Sequence, residues 1–263
     1  MTTPDVPHRL EFSIDVPGTP DQVWHAIATA GGLSAWFLPT DLDERLGGAI
    51  STEMGEGQSF PATITGWDPP RRFAYEEPEW MILAGQPHDP AAVTPLATEF
   101  LVEARSGGTC VVRVVSSAFG TGADWEDEFF AGMDEGWLAF FGGLRSYLAH
   151  FAGQHATTFA VEGKADGTAE QARRAMADRL GAREVGQTIE LDGHQGVVEQ
   201  HDAVLLIHLI APVPGLLRFW SWDDDGAVKT QVLGYLFGDG APAAVAGERQ
   251  VWGDWLGSLQ VPS

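Results

Sequence analysis

A single cysteine, Cys110, stands among 263 residues. One thiol can neither close an internal disulfide nor supply a thiolate cluster for a metal, which fits a reducing compartment. Cations are scarce as well: 15 Lys and Arg face 37 Asp and Glu, for a formal net charge of −22. No basic patch interrupts that excess, which argues against nucleic acid or anionic membrane as a partner. No apolar run reaches the length that spans a bilayer. The opening residues, Met1-Thr-Thr-Pro-Asp-Val-Pro-His8, carry neither a basic start nor an apolar stretch, so a cytoplasmic protein without membrane insertion is expected. The motifs of several large enzyme classes are missing too: there is no Gly-x-Ser-x-Gly elbow, no P-loop and no Gly-x-Gly-x-x-Gly fingerprint. His194, His201 and His208 recur every seven residues, but an odd spacing on extended strands alternates faces, so they cannot share one metal. A calcium loop begun at Asp223 would need Glu at its twelfth position, where Gly234 stands. Neither a metal nor a cofactor is expected.

What is present is a cassette that occurs twice. Phe12-Ser-Ile-Asp-Val16, Gly18-Thr19-Pro-Asp-Gln22 and a helical stretch open the chain. Phe159-Ala-Val-Glu162, Gly167-Thr168-Ala-Glu-Gln171 and another helical stretch open the region after residue 155. The closing segments match in the same way: Gly132, Trp137, Phe140-Phe141-Gly142 and Leu144 against Gly247, Trp252, Trp255-Leu256-Gly257 and Leu259. A repeat at both ends of two blocks predicts two copies of one domain, at 8–152 and 156–261, the second shortened in its middle and degenerate.

In the first block, Phe12, Ile14 and Val16 alternate with polar residues as a half-buried strand does. Thr19 then caps a helix with Pro20 at its first position; the helix breaks at Gly31-Gly32, and a second short helix runs from Leu33 to Leu38. Strands are predicted at 48–54, 60–67, 72–76, 98–104 and 109–117, the last two joined as a hairpin across Ser106-Gly-Gly108. Cys110 shares the buried face of the last strand with Val112 and Val114, which predicts an inert thiol. A closing helix over about 125–151 carries Phe130, Met133, Trp137, Phe140, Phe141, Leu144 and Leu148 on one face, with Asp124 as its cap. The second block is predicted to hold strands at 157–162, 188–191, 197–201, 203–211, 216–222 and 228–236, with helices at 170–180 and 247–259.

Val23-Trp24-His-Ala-Ile27, Trp36-Phe37, Arg45-Leu-Gly-Gly48, Ile64-Thr-Gly-Trp-Asp68-Pro-Pro-Arg-Arg-Phe73, Gly107-Gly-Thr109 and Gly136-Trp137-x-x-Phe-Phe-x-x-Leu144 occur in that order. Over residues 8–152 this resembles the START-like (SRPBCC) superfamily, in the branch named after the C-terminal domain of the Hsp90 ATPase activator. The resemblance implies an α+β helix-grip fold, an antiparallel sheet curled around a long C-terminal helix, here duplicated. It also implies an apolar cavity between sheet and helix, lined by Trp36, Phe37, Phe73, Tyr75, Phe100, Val112, Phe130, Met133 and Trp137. Each of these also has a plain core role. Glu126 lies on the same helical face near the expected cavity mouth, as a candidate acid or base or as a carboxylate that complements the helix dipole. Residues 78–97 form a long insertion, with Trp80, Met81 and Ile82 apolar and His88 in its loop, suited to a lid or an adornment.

Three functions follow as expectations. The first is a carrier or sensor that binds a hydrophobic or amphipathic small molecule in the first block. The second is a cyclase- or dehydratase-type enzyme with Glu126 or His88 as acid or base. The third is an interaction module with a chaperone partner, implied only by the family's name; the chain starts without the extra N-terminal domain of the eukaryotic activators.

Overall fold

The computed structural model describes residues 5–53, 59–87, 89, 92–224 and 226–261. Met54, His88 and Asp225 lie outside them. The chain divides into two compact units, Met1–Gly153 and Gln154–Ser263.

In the first unit the strands are β1 (Val6–Pro17), β2 (Thr40–Leu42), β3 (Ala49–Glu53), β4 (Ser59–Asp68), β5 (Arg72–Glu77), β6 (Leu96–Arg105) and β7 (Thr109–Gly120). They form one antiparallel sheet in the order β1-β7-β6-β5-β4-β3-β2. The helices are α1 (Pro20–Ala28), α2 (Ala30–Leu33), α3 (Trp80–Leu83) and α4 (Asp124–His150). This is the helix-grip arrangement: α4 lies along β1 beneath the sheet, and α1 touches both β6 and α4. β1, β6 and β7 are each longer than expected, because their pairing continues past the alternating apolar core.

α1 begins where Thr19 predicts. The Thr19 hydroxyl accepts from Gln22 N, the Gln22 side chain returns to Thr19 N at 2.9 Å, and Pro20 fills the first turn. The break between the two short helices is a correction. It falls at Thr29 rather than at Gly31-Gly32, and α2 takes in both glycines. Thr29 is extended, donates to His25 O at 2.7 Å and accepts from Gly32 N at 3.0 Å, so it closes one helix and caps the next. Gly32 is required there because a Cβ would meet His25 O at 1.9 Å. At the other end, α4 is capped by Ala123 without a side-chain bond, and Asp124 is already helical. Cys110 is fully enclosed; its thiol reaches Gly18 O at 3.4 Å and burial pushes its pKa up, in keeping with an inert role.

The second unit has β8 (Thr157–Ala165), α5 (Ala169–Leu180), β9 (Thr188–Leu191), β10 (His194–His201), β11 (Leu205–Ala211), β12 (Gly215–Asp224), β13 (Ala227–Leu236) and α6 (Ala241–Gly257). Its sheet order is β8-β13-β12-β11-β10-β9. As in the first unit, the first strand pairs with the last and the others follow as a meander. Thr168 and Gln171 repeat the capping box of Thr19 and Gln22. α6 starts six residues before the expected 247 because Pro242 is tolerated in a first helical turn. Phe159, Met176, Leu180, Phe219, Trp252 and Trp255 belong to the core of this unit. The void beside Leu180, Ile189 and Trp252 measures about 10 Å³, room for one water at most.

Candidate functional site

Strand alternation turns residues 73, 75 and 77 of β5, 96, 98 and 100 of β6, and 112, 114, 116 and 118 of β7 toward α4. Register then aligns three of them: Tyr75 pairs with Thr98, and Thr98 pairs with Ser116. The result is a polar line across three strands of an inner face that is apolar on either side. Thr98 and Ser116 are buried and their hydroxyls lie 3.1 Å apart. Glu77 extends the polar surface by one inward position along β5, beside the buried Leu96.

On one side of this line the rings form a continuous network. Phe37 stacks on Trp137 at 5.7 Å and 10°, and Trp137 meets Phe100 edge-on at 5.7 Å. Phe100 contacts Phe73 at 6.1 Å and Tyr75 at 6.4 Å, while Trp36 contacts Phe37 at 5.7 Å. Trp36 is fixed by its indole N–H, which donates to Ala26 O at 2.9 Å. On the other side, Phe130 packs with Trp80, Met81, Val93, Leu96 and Ala118, and Met133 borders that cluster. The expected lining thus divides. Trp36, Phe37, Phe73, Tyr75, Phe100 and Trp137 are joined in one wall, and Phe130 and Met133 belong to a second wall built with the insertion. Val112 is fully enclosed two inward positions beyond Ser116. Phe37, Tyr75, Glu77 and Met133 stay half-buried, so this inner surface is not sealed.

The electrostatics single out three groups. Burial pushes the Glu77 carboxyl up to about 7, and no hydrogen bond or ion pair holds it among the described residues. Burial, with Glu77 nearby, also raises the Tyr75 phenol well above its ordinary value, while the Thr98 hydroxyl acts the other way. The Trp137 indole N–H is buried without an acceptor among the described residues. A carboxyl that titrates near 7, a phenol and an indole donor therefore lie on this inner surface beside the aromatic rings. Glu77 escaped the sequence reading, although the alternation that turns Phe73 and Tyr75 inward points to it.

Glu126 is arranged differently. It is fully enclosed and accepts from Thr121 N at 2.9 Å, Thr121 Oγ1 at 3.1 Å and Gly122 N at 2.9 Å, with His8 Nε2 at 2.9 Å. Burial alone would raise its pKa, but these partners together hold it below the ordinary carboxylate range. A carboxylate held in that state ties β1 and the loop before α4 together and has no proton to give near neutral pH. His8 stacks on Phe130 at 4.9 Å, which links the clamp to the second wall.

The second unit carries a comparable pair. His194 Nε2 lies 2.9 Å from Glu248 Oε2, which also accepts from the Trp252 indole at 3.0 Å. A surface recess of about 310 Å³ runs past Arg179, His194, Trp252 and Trp255, and one of about 170 Å³ past Arg173, Arg183 and His201. Their basic side chains are already engaged in part, Arg183 with Asp178 and Arg179 over the Trp255 ring.

A search of curated proteins finds no match to the sequence. Among solved structures, the di-domain ARO/CYC BexL from the BE-7585A biosynthetic pathway is 16% identical, covering 95% of this chain and 90% of its own, with a TM-score of 0.46. DynU16, from the dynemicin biosynthetic locus, is 13% identical over 94% of this chain and 95% of its own, with a TM-score of 0.43. The Aha1 dimer from Colwellia psychrerythraea is 18% identical over 56% of this chain and 99% of its own, with a TM-score of 0.44. The model of the family described as "Activator of Hsp90 ATPase homolog 1-like protein" matches residues 17–149, from the end of β1 through nearly all of α4. That span is just over half of the chain, and the protein belongs to this family within the START-like superfamily.

Proposed function

We propose that the first unit binds an apolar or amphipathic small molecule between α4 and the inner face of the sheet, as a carrier or sensor. One observation carries the reading: an aromatic wall meets a polar surface on which, among the described residues, Trp137 Nε1 has no acceptor and Glu77 no hydrogen bond or ion pair. An unmet buried donor costs about 1–3 kcal/mol, which an acceptor atom on a bound ligand would recover at Trp137 Nε1. Small-molecule sites have this composition, mostly apolar with a few converging polar groups. The packed interior of the second unit supports a scaffold role for that unit. Titration of the whole chain with the neutral dye Nile red tests the proposal. Saturable uptake that Trp137→Ala abolishes, with the circular dichroism spectrum retained, is the expected result; uptake indifferent to Trp137→Ala refutes it.

Acid–base catalysis of the cyclase or dehydratase kind is the second reading, and Glu77 is what favours it. A carboxyl that titrates near neutrality holds and releases a proton at working pH. Glu77→Gln would then retain dye uptake and lose turnover. A chaperone partner has the family's description behind it and no feature of this chain.

A further inference from the structure

We infer that Glu77 sets the charge of the ligand: the site takes an uncharged ring compound bearing an oxygen that accepts a hydrogen bond, and turns carboxylates away. The inference rests on the binding proposed above. Glu77 lies one inward step from Tyr75, and its strand partner Leu96 belongs to the cluster of Phe130 and Trp80. It therefore stands where the two walls approach each other. Nothing cationic neutralises it among the described residues, and its own burial favours the protonated acid. A protonated Glu77, the Tyr75 phenol and the Trp137 N–H all offer hydrogens. A ketone, quinone or phenol oxygen would satisfy them at no cost in buried charge.

A ligand carboxylate fares worse in this place. It would bring a net negative charge to a place where no cation meets it among the described residues, and lose its hydration to an aromatic surface. An ammonium ligand would force Glu77 to ionise and would leave the Trp137 donor unpaired. Shape selection falls to the rings, which tolerate any flat apolar body. Charge selection falls to one residue.

The test uses four probes on one skeleton, titrated calorimetrically into the whole chain in mildly acidic buffer: 2-acetonaphthone, naphthalene, 2-naphthoate and 2-naphthylmethylammonium. The ketone is expected to bind roughly tenfold tighter than either the hydrocarbon or the carboxylate. Glu77→Gln, which keeps a neutral donor, should preserve that preference, and Glu77→Leu should erase it while naphthalene still binds. Equal affinity for ketone and hydrocarbon overturns the inference and leaves the binding reading standing. The carboxylate or the ammonium binding tightest also overturns it. Binding of no probe at all removes both.

Discussion

The hydroxyls of Thr98 and Ser116 meet at 3.1 Å on neighbouring strands, enclosed beneath α4 with apolar side chains on either side. Buried hydroxyls are retained when each satisfies the other, so the pair should behave as a unit. Thr98→Val keeps the volume and strands Ser116, at an expected cost of about 1–3 kcal/mol. Ser116→Ala leaves Thr98 with the Tyr75 phenol alone, at a smaller cost, and the double variant should cost less than the two singles together. A urea-denaturation double-mutant cycle measures the coupling, and strictly additive losses would deny it.

Glu77 makes stability depend on pH in a direction opposite to an ordinary paired carboxylate. Its folded pKa of about 7 lies above the ordinary value of 4.5, so the folded chain holds the proton more tightly than the unfolded chain does. That contribution is complete below about 4.5 and fades as pH rises through 7. Glu77→Gln cannot ionise, so its stability relative to the parent should rise between mildly acidic and mildly alkaline buffer. Parallel melting curves for the two proteins across that range would show that the carboxyl is not desolvated.

How much of this was legible in the sequence depends on the kind of cause. Periodicity carries the inward face of α4 from Phe130 to Leu148, and alternation carries the inner face of β7, because both follow from backbone geometry alone. The repeated Gly-Thr-x-x-Gln boxes mark the starts of α1 and α5 for the same local reason. The division of the expected lining into two walls was not legible, since it depends on where the insertion bearing Trp80 folds back. Glu77 was half legible: alternation turns it inward, but that no cation faces it among the described residues is a property of the assembled sheet. The helix break at Thr29 was hidden behind a more conspicuous pair of glycines.

The Glu126 clamp should set the acid limit of the first unit. A depressed carboxylate contributes stability above its unfolded pKa and loses it as pH falls through the folded value. Glu126→Gln replaces one accepting oxygen by an amide that cannot accept, against backbone donors that stay put, at an expected cost of about 2–4 kcal/mol. The variant should also show a flatter acid limb. Gly120→Ala attacks the same clamp sterically, because its Cβ would stand 2.2 Å from Glu126 Oε2. Acid titration followed by near-ultraviolet circular dichroism reads both, and an unchanged midpoint in Glu126→Gln would show that the clamp is not ionised.

The His194–Glu248 pair predicts limits on both sides. The hydrogen bond to Glu248 raises the His194 pKa against the opposing effect of burial. Burial would raise Glu248, but His194 and the Trp252 indole hold it below its ordinary value. The imidazolium contribution is complete below the ordinary His value of 6.5 and is lost as pH rises through the raised folded value; the carboxylate contribution is complete above the ordinary Glu value of 4.5 and is lost as pH falls through the lowered one. Both are complete together only in the window between those two ordinary values. Glu248→Gln should therefore lower the Tm most at about pH 5–6 and progressively less toward acid and alkali. His194→Gln isolates one side: it removes the alkaline decline and leaves an acid limb in which Glu248, deprived of its cation, protonates more readily. A Tm deficit in Glu248→Gln that is the same at every pH would mean that the pair is held by packing around Trp252 and carries no charge.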